Sequence, residues 1–364
     1  DNAPLAGPYV AYGARTATQQ NNPDFPLTGD PRVVQQPAAE RGTVFTQTGP
    51  GEYDYTFTAA LPVGYDASAS HIIAVYATRT ENGVRFVGNA TTSFVPNDGN
   101  ATPLARTALG RPILGVKSGC NDAFIVTPRT GWRTARNDFW PITGAGREGR
   151  VERRLLRPVL RGETVRAWRA QADDSALLWT HDANDSPLRP LPEGAAGWLA
   201  PWRRQLESRA DAQRTALWWT LFRTDAARSH RPRVVWSDIG KSPRALVLPP
   251  GDATVPINSC YVARTQSLDD AYALAALLNS PVAAAWLAAI AEPARGGYHR
   301  YLGWTLARLP IPADWDRAVA ILAPLAREAL DGDIPDAATL TDAAIRAYRV
   351  RSVDIEPLLT WCLR

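Results

Sequence analysis

The sequence contains no methionine, only two lysines and only three cysteines among its 364 residues. Cys120, Cys260 and Cys362 lie far apart and form no C-x-x-C pair, so they indicate neither a disulfide framework nor a zinc site. We expect buried, reduced thiols in a cytoplasmic protein. Neither a start methionine nor a signal peptide is visible, so we interpret the chain as a fragment or a processed product.

Long apolar runs are also scarce. The longest uncharged stretch, residues 271–291, approaches the length of a membrane span. Asn279-Ser280-Pro281 interrupts it and alanine dominates it, so we predict two buried helices and no membrane span.

Tryptophan is absent from the first 103 residues, since all 13 tryptophans lie between Trp132 and Trp361. The charge also changes there. Residues 1–103 carry five Lys/Arg and nine Asp/Glu, a net charge of −4. Subtraction from the totals of 40 and 36 leaves 35 Lys/Arg and 27 Asp/Glu, a net charge of +8, for residues 104–364. Two differently composed pieces are joined, and we predict that they are separate domains.

The first region predicts an antiparallel β sandwich. Residues 52–58 alternate aromatic and polar side chains, and residues 72–80 and 84–95 are two further β-rich runs. Asn82-Gly83 between them favours a tight hairpin turn, and the turn-forming residues 96–100 favour a linker.

Two runs in this region, Tyr55–Pro62 and His71–Pro96, resemble a haem-free β domain of the outer-surface decahaem c-type cytochromes. That family attaches haem through C-x-x-C-H repeats, and the sequence has none, so we expect no haem. The resemblance implies an alternative function, a haem-less structural fragment of a cell-surface electron-transfer protein.

The later region predicts a mixture of strands and helices. Short apolar runs bounded by Pro and Gly predict strands at 122–127, 233–239, 244–248 and 255–263. Helical periodicity and capping residues predict one helix with Trp198, Leu199, Trp202 and Leu206 on one face. They predict others at 267–278, from Ser280-Pro281 onward, at 314–330 before Gly332, and at 341–349.

Two glycine motifs are interpreted as turns. Gly144–Gly149 satisfies G-x-G-x-x-G, but no β-branched strand precedes it, and the segment 166–169, about twenty residues later, has arginines where a nucleotide site requires an acid. Gly240-Lys241-Ser242 lacks the leading glycine of a phosphate-binding loop, which favours a strand–turn–strand corner. No H-E-x-x-H or G-x-S-x-G motif occurs, so we predict no catalytic residues.

Arginine and aromatic residues occur together in the later region. The chain has 38 arginines, several beside Trp or Tyr, as in Arg166-Ala-Trp168-Arg169 and Tyr298-His-Arg300-Tyr301. Arginine binds phosphates and guanine edges, and aromatic rings stack on exposed bases. The alternative is the composition of a GC-rich genome with tryptophan in the core.

A second resemblance begins at Ala108. The run Leu109–Phe124 is similar to the opening of the C-terminal target-recognition region, a TaqI-like specificity domain, of site-specific adenine-N6 DNA methyltransferases of restriction–modification and phage-defence systems. Further matches follow in the same order over about 250 residues: Arg157–Trp168, Trp218-Trp219, Pro232–Ile239, Asn258–Tyr261, Leu277–Pro281, Gly296–Tyr298 and Leu309–Pro312.

In that family an upstream domain binds S-adenosylmethionine and carries the catalytic motif, and neither is visible here. The resemblance therefore implies a DNA-specificity module without a cofactor of its own, with double-stranded DNA as partner and a separate catalytic domain as a further one. The expected fold is α+β and multidomain: a β sandwich (1–103), a mixed α/β target-recognition domain (104–315) and a helical C-terminal tail (316–364). Whether the junction near residue 104 is natural stays open.

Two groups of residues are candidates for binding DNA phosphates. The glycine-flanked loop 115–119 offers Lys117, Ser118 and Gly119, with Asn121 directly after it; the alternative is a tight connecting turn. Arg161, Arg166 and Trp168 form the second group, for which the alternative is a solvated helix face.

The remaining candidates lie further along the chain. Lys241 and Arg244 belong to the predicted strand–turn–strand corner, and Arg295, Tyr298, Arg300 and Tyr301 to an exposed-looking basic and aromatic loop that we favour as a DNA contact. We interpret Asn258 and Tyr261 instead as core polar groups bonded to the backbone.

Overall fold

A computed structural model describes residues 6–13, 34–37, 44–49, 52–56, 71–81, 84–94, 102–211 and 217–362, with side chains described within 102–211 and 217–360. The chain divides into one unit of residues 1–100 with 350–364 and another of residues 101–349. The predicted domain boundaries after residues 103 and 315 stay predictions.

The first unit contains strands β1 to β6, at Ala6–Gly13, Val34–Pro37, Val44–Gly49, Glu52–Thr56, His71–Glu81 and Val84–Phe94. A four-stranded sheet has the order β2-β1-β5-β6, and β3 pairs with β4. The predicted hairpin is confirmed, because β5 and β6 are antiparallel with Glu81 opposite Val84. Asn82-Gly83 and residues 96–100 lie outside the described residues, and the sandwich stays a prediction.

The second unit is a mixture of sheets and helices, as the predicted α+β class requires. Its strands β7 to β21 are Thr102–Pro103, Ile113–Leu114, Ile125–Pro128, Phe139–Gly144, Arg147–Glu152, Leu156–Leu160, Ala176–Leu178, Arg233–Ser237, Ile239–Gly240, Ala245–Leu248, Val255–Pro256, Cys260–Arg264, Glu292–Ala294, Tyr298–Arg300 and Pro310–Ile311. The helices α1 to α9 are Asn121–Phe124, Glu193–Leu199, Arg203–Glu207, Leu268–Asn279, Pro281–Ile290, Gly303–Ala307, Trp315–Asp331, Ala337–Tyr348 and, in the first unit, Ser352–Cys362.

Two sheets build the core of the second unit. A six-stranded sheet has the order β11-β10-β9-β13-β12-β17, in which only the pair β12–β17 is parallel. A four-stranded antiparallel sheet has the order β16-β14-β18-β8. Buried Val, Leu, Ile and Trp side chains from both sheets form one continuous apolar cluster. The predicted strand 255–263 is in fact two strands, one in each sheet, joined by residues 257–259.

The turn 256–260 binds the two sheets together. The amide of Ile257 donates to the Leu160 carbonyl at 3.0 Å, and the amide of Gly115 donates to the Cys260 carbonyl at 2.9 Å. A Cβ atom at Gly115 would collide with the Ile257 carbonyl, and one at Gly162 would collide with the Ser259 carbonyl. Glycine is required at both positions because the backbones approach too closely for any side chain.

The two helices predicted within 271–291 are confirmed as α4 and α5. The Ser267 hydroxyl accepts from the Asp270 amide to cap α4, and Ser280 caps α5 with Pro281 at its first position. Most of their apolar residues are buried. Among the described residues no single helix is long and apolar enough to cross a membrane, although the bent pair α4 and α5, at 68°, passes by length and composition.

Several other predicted elements are confirmed or corrected. Helix α7 begins after its cap Asp314 and ends at Gly332 in the left-handed conformation, as predicted. The predicted strand 122–127 is wrong at its start, because residues 121–124 form the short helix α1. The glycine motif 144–149 is a hairpin between β10 and β11, with positive φ at Ala145 and Gly146, and not a nucleotide loop.

Buried polar groups also hold this unit together. Cys120 and Cys260 are buried free thiols, as expected. Arg233, which is 0% exposed, donates to the carbonyls of Thr254 at 2.9 Å and Asp252 at 2.7 Å. Burial lowers the pKa of this guanidinium to about 10, so it stays charged at neutral pH.

His181 supplies a pH dependence of stability. It is 4% exposed, and burial lowers its pKa from 6.5 to about 4 against the opposing charges of Asp185 and Asp182. In the unfolded chain this imidazole binds a proton near pH 6.5, whereas in the folded chain it becomes protonated only near pH 4. Stability from this group is therefore complete above pH 6.5 and is lost as pH falls toward 4, by up to about 3 kcal/mol.

We expect His181→Gln to remove part of the loss of stability between pH 7 and pH 4.5, as measured by urea unfolding at both values. The exposed His230 offers the matched control, and His230→Gln should leave the difference unchanged. An identical pH dependence in wild type and His181→Gln would contradict the proposed linkage.

Candidate functional site

A cleft of about 450 Å³ lies where four distant segments of the second unit meet. Its walls come from residues 162–166, from residues 237–244, and from Ser259 and Tyr298. Four of the predicted site residues line it together: Arg166, Lys241, Arg244 and Tyr298. Sequence reasoning had placed these residues in three separate motifs.

The wall that carries Arg166 is a fixed turn. Residues 162–164 form one turn of 3-10 helix, so the alternative of a solvated helix face is wrong. The guanidinium of Arg166 donates to the carbonyls of Glu163 at 2.7 Å and Val165 at 2.9 Å, and also to the Gln171 side chain. These bonds hold the charge in place before any ligand binds.

The opposite wall is a small hairpin. Strand β20 pairs with β19 and with β15, which places Tyr298 beside the corner that carries Lys241. The Tyr298 ring is 41% exposed, and the Lys241 ammonium lies 6.0 Å from its centroid. Gly296 and Gly297, with φ of 73° and 74°, make the turn that connects the strands. The strand–turn–strand corner predicted at Gly240-Lys241-Ser242 is confirmed, because this turn lies between β15 and β16.

Two carboxylates also line the cleft. Asp238 is half-buried directly after β14, and burial raises its pKa, which the nearby Arg300 opposes. Glu163 lies at the rim with 70% of its side chain exposed, 3.4 Å from the guanidinium of Arg161. Neither was among the predicted site residues, although an acid directly after a buried strand is a signal that could have identified Asp238.

An adjoining cleft of about 420 Å³ contains two more predicted residues, Asn121 and Arg161. It shares Glu163 and Ser259 with the first cleft. The interpretation of Asn258 as a core polar group is wrong, because this residue is exposed and lines the adjoining cleft. Tyr261 is half-buried and stacks on Trp236 with ring centroids 6.1 Å apart, in accord with a packing role.

The loop 115–119 is bound to the rest of the unit by its own backbone. The amides of Gly115, Val116 and Lys117 all donate to carbonyls of the protein, so they do not offer the predicted phosphate cradle. The Lys117 ammonium already pairs with Asp211 at 2.7 Å. Contact between Lys117 and a phosphate stays a prediction that requires this pair to open.

The side chains around this loop explain its shape. The Ser118 hydroxyl is buried and donates to Asn121 at 2.7 Å. Arg209 donates to the Ser118 carbonyl and, at 2.7 Å, to the Trp218 carbonyl. Gly119 has φ of 67°, and a Cβ atom there would meet the Arg209 side chain at 2.6 Å. The alternative of a tight connecting turn therefore describes the loop better.

The last four candidates differ in exposure. Trp168 is 6% exposed and Tyr301 is 1% exposed, so neither ring can stack on a ligand in this conformation. Their selection for the site is corrected on that ground: both are packing residues, and the Trp236 indole donates to the Tyr301 carbonyl at 3.0 Å. Arg295 and Arg300 are exposed on the hairpin.

A third cleft, of about 900 Å³, contains none of the predicted site residues. It lies beside β9, β10 and β11 and is lined by Arg129, Arg133 and Arg150 together with Glu148 and Asp174.

Among the described residues no group of three or more His, Cys, Asp or Glu side chains is arranged to hold a metal ion.

The chain has a distant structural likeness to a known protein. No family model matches the chain, and no curated protein matches it. The chain is similar to a solved structure of the Type IIL restriction-modification enzyme MmeI in complex with DNA, with a TM-score of 0.43 and 12% identity over 80% of this chain. The chain spans 41% of that enzyme's chain. A likeness this distant leaves the site to be judged on its own geometry.

The hairpin turn gives a local prediction. Gly296→Ala with Gly297→Ala should destabilise the hairpin by about 1–2 kcal/mol per position, because an L side chain is strained at positive φ. Hydrogen exchange at residues 298–300 and 239–240 should speed up while global unfolding changes little. The control is Gly197→Ala, at an exposed helical position where a Cβ atom meets nothing within 4 Å. Unchanged exchange in the double variant would contradict the assigned turn.

Proposed function

We propose that the second unit, residues 101–349, binds double-stranded DNA and recognises its sequence, as the specificity region of an adenine-N6 DNA methyltransferase of a restriction–modification system. The proposal joins the family resemblance of residues 108–364 to one observation. Arg166, Lys241, Arg244 and Tyr298 come from three distant segments and line one cleft.

The chemistry of this cleft suits a DNA duplex. The residues that line it include three cations and two carboxylates, so its net charge is positive. Arg300 adds a further positive charge on β20, which pairs with β15. Lysine and arginine at such a surface neutralise phosphates and release counterions, which supplies most of the affinity for DNA. Arg166, held by its own loop, loses little side-chain entropy on binding.

Methyl transfer is assigned to a separate catalytic domain. Enzymes of this class hold a flipped base with a tetrapeptide made of an acid or amide residue, two prolines and an aromatic residue. The sequence lacks this tetrapeptide. The role proposed for the second unit is positioning and reading, with double-stranded DNA and that catalytic domain as partners.

The cleft should control salt-dependent DNA binding. We expect Lys241→Ala with Arg244→Ala to weaken binding to a mixed-sequence duplex roughly 30-fold at 0.15 M salt, since each lost phosphate contact lowers the slope of log K against log salt by about 0.9. Fluorescence anisotropy titrations at four salt concentrations measure both quantities.

A charge-matched control separates the cleft from net charge. Arg317→Ala with Arg346→Ala removes two exposed arginines from α7 and α8, which do not line the cleft. We expect this pair to change binding by less than about threefold. Equal weakening by both pairs, or no DNA binding by the wild-type chain, would overturn the proposed function.

A second experiment tests the division of labour. We expect the purified chain to transfer no methyl group from labelled S-adenosylmethionine to DNA, with an intact adenine-N6 methyltransferase as the positive control. Measurable incorporation into adenine would show that this chain is catalytic and would contradict the proposed role.

A further inference from the structure

Two carboxylates line the cleft, which does not suit a site built only to hold phosphates, and Asp238 is the half-buried one of the two, since the Glu163 side chain is 70% exposed. A carboxylate repels a phosphodiester, yet Asp238 is half-buried in the wall beside Arg166, Lys241 and Arg244. Its backbone is fixed on both sides: its amide donates to the Ser259 carbonyl at 3.0 Å, and its carbonyl accepts from the Tyr301 amide at 2.8 Å. The backbone that carries this carboxylate is therefore held at one place in the cleft wall.

The carboxylate also has unused capacity for hydrogen bonds. Among the described residues it forms no ion pair, although the charge of the nearby Arg300 acts to lower its pKa. An ionised carboxylate accepts several hydrogen bonds and donates none. Burial has removed part of its water and raises its pKa, so a ligand that supplies an N–H donor at this point would replace the lost hydration.

We propose that Asp238 is a specificity-determining residue whose carboxylate accepts a hydrogen bond from an exocyclic amine of a DNA base, either N4 of cytosine or N6 of adenine. These are the two amines that the major groove presents, and an acidic side chain is the matching acceptor. The inference rests on the proposed DNA-binding function and adds the chemical group that this cleft reads.

The same carboxylate explains how wrong sequences are rejected. Guanine O6 and thymine O4 are acceptors, so either would face a negative charge at this position with no proton between them. Discrimination by an unpaired, partly buried charge is larger than the gain from the correct contact alone. The surrounding cations supply affinity for any DNA sequence. Asp238 lowers that affinity when the base at its position has no exocyclic amine to donate.

Selection from a randomised duplex pool tests the inference with the full chain. Wild type, Asp238→Ala and Glu163→Ala are compared, because both variants remove one acid from the lining of the same cleft. We expect Asp238→Ala to lose its preference at one A or C position and to keep the rest of the enriched motif. Glu163→Ala should keep the whole motif, while both variants bind random DNA somewhat more tightly.

A second measurement can be made on the wild-type chain, where it does not depend on how a variant folds. The amine at that position is deleted from the enriched duplex, with purine in place of adenine or 2-pyrimidinone in place of cytosine. Wild type should lose affinity by about 5- to 100-fold, the range of a good hydrogen-bonded base contact, and Asp238→Ala should lose none. The identity of the base at this position tells cytosine N4 from adenine N6.

The outcomes separate the two proposals. An enriched motif that Asp238→Ala retains in full, or an amine deletion that wild type tolerates, overturns the role of Asp238 and leaves DNA recognition standing. Loss of preference at every position in a natively folded Asp238→Ala variant also overturns it, because the residue would then order the cleft instead of reading a base. A wild-type chain that enriches no motif overturns the proposed function and this inference together.

Discussion

The turn 256–260 is the contact on which the second unit depends. The turn connects β17 of the six-stranded sheet to β18 of the four-stranded sheet. The backbones of Gly115 and Gly162 pack directly against it. Both glycines lie where any side chain would collide with a carbonyl of the turn. The position of the cleft follows from this contact, because Ser259 lines it and the Gly162 amide donates to the Ser259 hydroxyl at 2.9 Å.

The fold could be predicted from the sequence wherever a local rule decides the structure. Caps such as Ser267 and Asp314, the proline at the start of α5 and the glycine after α7 all act within a few residues of themselves. The prediction was wrong where tertiary contacts decide. Residues 122–127 have strand-like composition, yet the Trp198 indole donates to the Ala123 carbonyl at 2.8 Å in the short helix α1.

The site was less predictable for the same reason. Charge and glycine content identified Lys241, Arg244 and Tyr298, but exposure is a property of packing, and Trp168 and Tyr301 look no different from them in sequence. Loop 115–119 has the composition of a phosphate loop, while the amides of residues 115–117 donate to carbonyls distant in sequence, which no local pattern reveals. Asn258 is the reverse case, because it was predicted to be a core polar group and is instead exposed in a cleft.

The arginines inside this unit bear on how its composition can change over time. Arg233 and Arg209 each donate to two or more carbonyls, an arrangement that a planar guanidinium can satisfy and that a single ammonium cannot. A shift in the base composition of the genome could exchange surface arginines for lysine at little cost in stability. At these two positions the exchange would leave carbonyls without their donors, so part of the arginine content is fixed by architecture and would survive such a drift.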